Sequence, residues 1–176
     1  MQAATEATKN WIENFVLKYQ LCPFAHQVFE HNQIFYSAVS YSNLLQLSLD
    51  FDKVISTLES GANNYSTAFI ILKNGLENFD DYLDVYYILE EYLADKHEGA
   101  YQLVSFHPNY IFEKTSTEDK TNYTNRSPYP CFHFLNTEEV HLALQSFGDP
   151  KKIIEQNNQT LTKFSLEKLT NITRLR

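Results

Sequence analysis

The chain is poor in the residues that mark specialised classes of protein. Its 176 residues include 4 glycines, 5 prolines and 2 cysteines, which excludes collagen-like repeats, low-complexity chains and disulfide-rich scaffolds. It has no apolar run of about 18 residues, so no membrane-spanning helix is expected. The opening residues, MQAATEATKNW, contain no apolar stretch of signal-peptide length. We therefore expect a cytoplasmic protein that does not enter a membrane.

Basic residues are also scarce, and the charge is unevenly distributed. The net charge is −8 at pH 7. Residues 77–98 contain eight acidic side chains and one lysine, whereas residues 151–176 contain six basic side chains and two glutamates. An acidic chain with few basic clusters argues against nucleic acid as a partner. We interpret the acidic segment as a solvated helix face and residues 151–176 as a C-terminal extension.

Apolar periodicity predicts a single α+β domain. Hydrophobic residues make up 43% of the chain and aromatic residues 15%, which is enough for a core at this length. Four β-branched or aromatic runs predict strands: QIFYSAVSY, STAFIILK, AYQLVSF and CFHFLN. Helical spacing dominates between the first three runs, at the start of the chain and after the fourth run. Strands joined by helices usually lie parallel, and the last two strands lack such a helix. We therefore expect a mixed sheet of about four strands covered by helices.

A long polar segment, residues 107–130, joins the third and fourth predicted strands. Loops of this length are usually functional or disordered, and the tyrosines and prolines in this one favour an ordered loop. Arg126 has a planar guanidinium group that fits a carboxylate or a phosphate. The neighbouring side chains that can contribute hydrogen bonds are Asn122, Tyr123, Asn125 and Ser127. We predict that this loop lines one side of a binding site for a small anionic molecule. The alternative is that Arg126 pairs with a nearby carboxylate and that the asparagines form turns.

Two thiols and two imidazoles provide candidate catalytic groups. Cys22 precedes Pro23, a residue that favours the first turn of a helix, and a thiol at a helix N-terminus has a lowered pKa. His107 ends the third predicted strand, while Cys131 and His133 begin the fourth, so neighbouring strands would bring them together. A thiol beside an imidazole makes an activated nucleophile. We therefore predict Cys22, His107 and His133 as catalytic residues of an enzyme acting on a small anionic metabolite. Burial of either cysteine in the core is the alternative.

The same side chains leave two other functions open. Zinc accepts sulfur and imidazole ligands, but Cys131-x-His133 is not a specific metal motif, and the sequence leaves any cofactor unknown. The segment 107–130 is also compatible with a non-catalytic module that binds a small ligand or a peptide, with Cys22 in a structural role. The sequence does not decide between these functions.

Three stretches resemble one protein family. LCPFA, YQLVSFHPNYIF and NYTNRSPYPCFHFL are similar to the DUF1415 family of small bacterial proteins, whose domain has no assigned function. The resemblance extends over nearly the whole chain. It implies a bacterial, soluble, single-domain protein and no particular activity. The candidate residues within the matching stretches include Cys22, His107, Asn122, Asn125, Arg126 and His133.

Overall fold

Four short runs of β-branched and aromatic residues form one open sheet in the computed structural model, which describes residues 2–147 and 149–174. The strands are Ile34–Val39 (β1), Thr67–Leu72 (β2), Tyr101–Phe106 (β3) and Cys131–Asn136 (β4). Their order across the sheet is β1-β2-β4-β3. β1 and β2 are parallel, and β4 is antiparallel to both of its neighbours. The predicted mixed sheet and the antiparallel pairing of the last two strands are confirmed.

Seven α-helices accompany the sheet in the described part of the chain. They are Gln2–Trp11 (α1), Ala25–Glu30 (α2), Leu44–Glu59 (α3), Phe79–Lys96 (α4), Thr137–Phe147 (α5), Pro150–Thr162 (α6) and Leu166–Thr173 (α7). α1 continues into a π-helix over Ile12–Leu17. Short 3₁₀ turns cover Ala62–Asn64 and Lys120–Thr124. The predicted single-domain α+β class is confirmed.

The sheet separates two apolar clusters. On one face, α3 and α4 pack against the sheet, and fully buried members of this cluster are Phe51, Tyr82, Leu89, Phe132 and Phe134. On the other face lie α1, the π-helix, α6 and α7, and members of that cluster are Trp11, Phe15, Phe69, Leu161 and Leu169. The domain therefore has core packing on both faces of one sheet.

The turn that follows β2 has a backbone conformation that requires glycine. Gly75 has a φ of +86°, and the next residue, Leu76, has a φ of +56°. A Cβ atom on Gly75 would lie 2.8 Å from the Cβ of Tyr41, a distance that real Cβ contacts do not show. The close approach of these two loops leaves the Leu76 carbonyl facing the end of β3.

Candidate functional site

His107 follows β3 directly and is fully buried. Its ring packs against Phe79 and Tyr82, with ring centroids 5.2 and 5.1 Å apart. Nε2 lies 3.1 Å from the Leu76 carbonyl oxygen, and the Asn109 N–H donates to Nδ1 over 3.0 Å. A carbonyl can only accept, so Nε2 carries the proton. Burial lowers the pKa of His107, and the neutral ring joins the turn after β2 to the segment after β3.

His133 lies on the opposite face of the sheet. Its ring stacks on Phe69 at a centroid distance of 4.0 Å. Nε2 lies 2.7 Å from the hydroxyl oxygen of Thr67, and that hydroxyl donates to the Phe134 carbonyl. The single hydroxyl proton of Thr67 is therefore donated to the Phe134 carbonyl, so Nε2 of His133 must donate its own proton to the Thr67 oxygen. Burial lowers the pKa of His133 to about 3, so this imidazole is neutral at physiological pH.

The predicted meeting of two imidazoles and a thiol is wrong. β3 and β4 are neighbours, and Phe106 pairs in register with Cys131. Cys131 and His133 share one face, as two-residue spacing requires. Phe106 points to that same face, where it packs near His133, so His107, the next residue, turns to the other face. Within residues 2–147 and 149–174, no group of three or more histidine, cysteine or acidic side chains is arranged to hold a metal ion.

The two thiols are free and protected by burial to different degrees. Cys22 is half-buried, and the backbone amides of Phe24 and Ala25 direct hydrogen bonds to its sulfur. Those amides favour the thiolate, but burial outweighs them and raises the pKa of Cys22. The expected lowering of this pKa is wrong. Cys131 is fully buried, its thiol donates to the Tyr129 carbonyl over 3.1 Å, and burial raises its pKa to about 12.

Asn122 organises the loop 107–130 from within. The side chain is fully buried. Its Oδ1 accepts from the Phe112 N–H and from the Thr115 hydroxyl, each over 2.9 Å, and its Nδ2 donates to the Ser116 carbonyl over 2.8 Å. Three of the four hydrogen bonds that an asparagine side chain can make are therefore used inside the loop.

Arg126 also binds within the loop. Nε donates to the Tyr110 carbonyl over 3.1 Å and Nη2 to the Thr117 carbonyl over 2.9 Å. The guanidinium carbon lies 4.4 Å from the centroid of the Tyr123 ring, a cation–π distance. The Tyr123 hydroxyl is 2.7 Å from the Thr170 hydroxyl of α7. Arg126 thus joins two separate stretches of the loop and lies on a tyrosine that contacts α7.

The remaining predicted loop residues also have partners in the protein. Asn125 donates from Nδ2 to the Ser105 carbonyl over 3.0 Å, and the Ser127 hydroxyl donates to the Tyr129 carbonyl over 2.6 Å. These polar side chains of the loop are therefore bonded within the loop or to the end of β3. Two surface clefts, of about 340 and 570 Å³, lie at α7 and between α5 and the start of β3. None of the predicted site residues lines either cleft.

Sequence reasoning did not anticipate four large apolar side chains exposed on α3 and α4. Leu45 is 72% exposed, Leu49 47%, Tyr87 59% and Ile88 49%. The angular position of each residue around the helix could have revealed them. Leu45 and Leu49 lie outside the apolar stripe that α3 directs into the core. Exposed leucines of this kind need a separate explanation when they occur together.

Leu45, Leu49 and Ile88 lie on neighbouring stripes of α3 and α4, two helices that contact each other through side chains. The Tyr92 hydroxyl donates to Asp52 Oδ1 over 2.8 Å, and Lys96 Nζ donates to Asp52 Oδ2 over 2.7 Å. Leu49 precedes Asp52 by three residues and Ile88 precedes Tyr92 by four, so both lie on the sides of α3 and α4 that approach each other. The exposed leucine and isoleucine side chains therefore border one groove.

Acidic side chains border the apolar ones on α4. The exposed ridge of this helix contains residues at helical spacing around Tyr87, namely Asp80, Asp84, Glu91 and Asp95. We call these four acidic residues, together with Leu45, Leu49, Tyr87 and Ile88, the α3–α4 surface. It combines an apolar strip with a negative ridge.

The domain is thus an α+β protein with a self-contained polar loop and an open helical surface. The family model described as "Protein of unknown function (DUF1415)" matches residues 3–171. The chain therefore belongs to this family, which confirms the resemblance seen in the sequence. No curated protein matches the chain, and no solved structure matches it. No helix in the described ranges has both the length and the apolarity that crossing a membrane requires.

Proposed function

We propose that this domain is a non-catalytic binding module that recognises another protein through the α3–α4 surface. The observation that carries the proposal is the exposure of Leu45, Leu49, Tyr87 and Ile88 on two adjacent helices. Exposed apolar side chains that occur together, with polar residues at their border, commonly mark interaction sites. The raised pKa of Cys22 and the occupied nitrogens of His107 favour this function over catalysis.

The arrangement of the α3–α4 surface favours a basic amphipathic helix as the partner. Leu49 and Ile88 border the groove between the helices, and a partner's apolar stripe can cover them there. Asp84 and Glu91 lie on the adjoining ridge of α4, where they face lysine or arginine side chains on the flank of such a helix. The rest of this acidic helix favours a positively charged partner in the same way.

A model peptide tests this recognition directly. The probe is a helix of about 18 residues, or five turns, with leucine on one face and lysine on the other. The control is the same pattern with glutamate in place of lysine. Chemical-shift changes in a two-dimensional NMR spectrum of the protein should cluster on α3 and α4 for the lysine peptide only. Added salt should weaken binding, because screening reduces attraction between exposed charges.

Variants test whether the apolar strip contributes as argued. Each leucine covered by a partner contributes about 1–2 kcal/mol, so Leu45→Ser combined with Leu49→Ser should weaken the lysine peptide at least tenfold. The control is Leu142→Ser on α5, where the leucine is 58% exposed, and it should leave affinity unchanged. Shift changes centred elsewhere, or equal affinity of the two variants, would overturn the proposal.

The second candidate function is an enzyme acting on a small anionic metabolite. Two observations support it. The half-exposed Arg126 uses two of its five guanidinium donors within the loop, and two backbone amides point at the Cys22 sulfur. In this function Cys22 is the nucleophile, His107 or His133 the acid and base, and Arg126 binds the anion.

Phosphate and acetate titrations separate this candidate from the first. Shifts confined to the loop 107–130 in the native protein, and abolished in Arg126→Gln, would support an anion site. The unfolding midpoint of the variant must first show that it is folded. Saturable binding at Arg126 together with no response of α3 and α4 to the lysine peptide would favour the enzyme over the binding module.

A further inference from the structure

The protein covers one edge of its sheet with its own polar groups. At the β3 edge, the Leu103 carbonyl accepts from the Tyr86 hydroxyl, and the Ser105 carbonyl accepts from Asn125 Nδ2, each over 3.0 Å. The His107 N–H donates to the Asn125 carbonyl over 3.1 Å. The outward carbonyls of Leu103 and Ser105 are therefore bonded to α4 and to the long loop. A further strand cannot pair there without displacing them.

The opposite edge, β1, has no such cover. The Lys73 N–H donates to the Val39 carbonyl over 2.8 Å, and the Thr67 N–H donates to the Gln33 carbonyl over 3.3 Å. The odd-numbered residues of β1 therefore bond to β2, and the even-numbered backbone groups point away from the sheet. Those groups belong to Ile34, Tyr36 and Ala38. Among the residues that the structure describes, no hydrogen bond reaches them.

β1 also lacks the devices that normally protect an edge strand. Its sequence, IFYSAV, contains no charge, no proline and no glycine, and the backbone has no positive φ within the strand. Natural edge strands usually have lysine, proline or a bulge, which prevent pairing with another chain. Lys9 Nζ lies 5.3 Å from the centroid of the Tyr36 ring. That ring stacks on Phe69, so the ammonium lies on a face of the sheet.

We propose that β1 pairs antiparallel with β1 of a second copy of this chain. The outward backbone groups of β1 belong to Ile34, Tyr36 and Ala38, with Tyr36 in the middle. Their arrangement is therefore the same when the strand is turned by 180° about Tyr36, and two copies can pair with each other. A two-fold axis at that residue places each Tyr36 opposite its equivalent and each Ile34 opposite Ala38 of the second copy. The pairing forms about six backbone hydrogen bonds and extends two four-stranded sheets into one continuous sheet. No charge on either strand opposes it.

Mass and hydrogen exchange measured together test the pairing. Analytical ultracentrifugation of the full chain across a dilution series should show a dimer of twice the 20.6 kDa chain mass, dissociating on dilution. Amide exchange by NMR should show protection of Tyr36 and Ala38 only at concentrations where the dimer is populated. The amides of Phe35 and Ser37 bond to β2, so they should stay protected at every concentration.

Proline substitutions add a matched pair of variants. Ala38→Pro removes an outward N–H that the monomer does not use, so it should give a folded monomer at all concentrations. Ser37→Pro removes a hydrogen bond to β2 and should lower the unfolding temperature instead. The proposal would be overturned by a monomer throughout the dilution series, by a dimer in which Tyr36 and Ala38 exchange freely, or by protection of those amides in the monomer. Pairing of β1 only with an extended peptide from another protein would overturn it as well.

Discussion

Replacing His133 by glutamine should reduce the loss of stability in acid. Burial lowers the folded-state pKa of His133 to about 3, whereas an unfolded histidine has a pKa of about 6.5. The unfolded state therefore takes up the proton first. The stability gained from a neutral His133 is fully present above about pH 6.5 and is lost as the pH falls from there towards 3. At pH 5 the loss from this residue amounts to about 2 kcal/mol.

Urea denaturation followed by circular dichroism measures this effect. The free energy of unfolding should fall between about pH 8 and pH 5 by about 2 kcal/mol less in His133→Gln than in the parent protein. At pH 8 the variant should itself be about 1 kcal/mol less stable, because it loses the stack on Phe69. His26→Gln changes an exposed ring and is the control. Equal acid losses in His133→Gln and the parent protein would refute the reasoning.

Three further predictions concern the loop, the turn after β2 and the thiols. Asn122→Ala should cost roughly 2–4 kcal/mol in urea unfolding, because it leaves buried groups without partners. Asn109→Ala, at an exposed side chain, should change stability by less than about 0.5 kcal/mol. Gly75→Ala should cost about 1–3 kcal/mol in thermal unfolding, and an unchanged midpoint would contradict the steric argument. Iodoacetamide should modify Cys22 more slowly than a free thiol, and Cys131 only after unfolding. Rapid labelling of native Cys131, detected by mass spectrometry, would contradict its burial.

The fold was largely predictable because its signals are local. The run STAFIILK is apolar at consecutive positions, and it forms β2, whose six residues are all buried. Asn43 is a capping residue by type, and its side chain accepts from the Gln46 N–H at the start of α3. The position of β4 between β2 and β3 was not predictable, because no short-range pattern records which strands become neighbours.

The chemistry of the candidate residues was much less predictable. Arg126 and Asn122 have the side chains of a ligand-binding wall, but their partners are backbone groups inside the same loop. The local sequence does not determine which backbone carbonyls of the folded loop face the side chains of Arg126 and Asn122. Two backbone amides lower the pKa of Cys22, as expected near a helix N-terminus, but burial raises it by more. The balance between two opposing electrostatic effects depends on the packed structure.

The place of β4 in the sheet has a consequence for how the chain assembles as it is synthesised. β1 and β2 can pair as soon as residue 72 has emerged, but β3 has no neighbouring strand until residues 131–136 follow. The hydroxyl of Tyr82 donates to the Cys131 carbonyl over 2.7 Å and accepts from the Phe106 N–H, so this buried hydroxyl on α4 also lacks its acceptor until then. Contacts this distant in sequence slow folding. A nascent chain of about 120 residues therefore has β3 and one edge of β2 without a partner strand, and unpaired strand edges of this kind make an intermediate prone to aggregation.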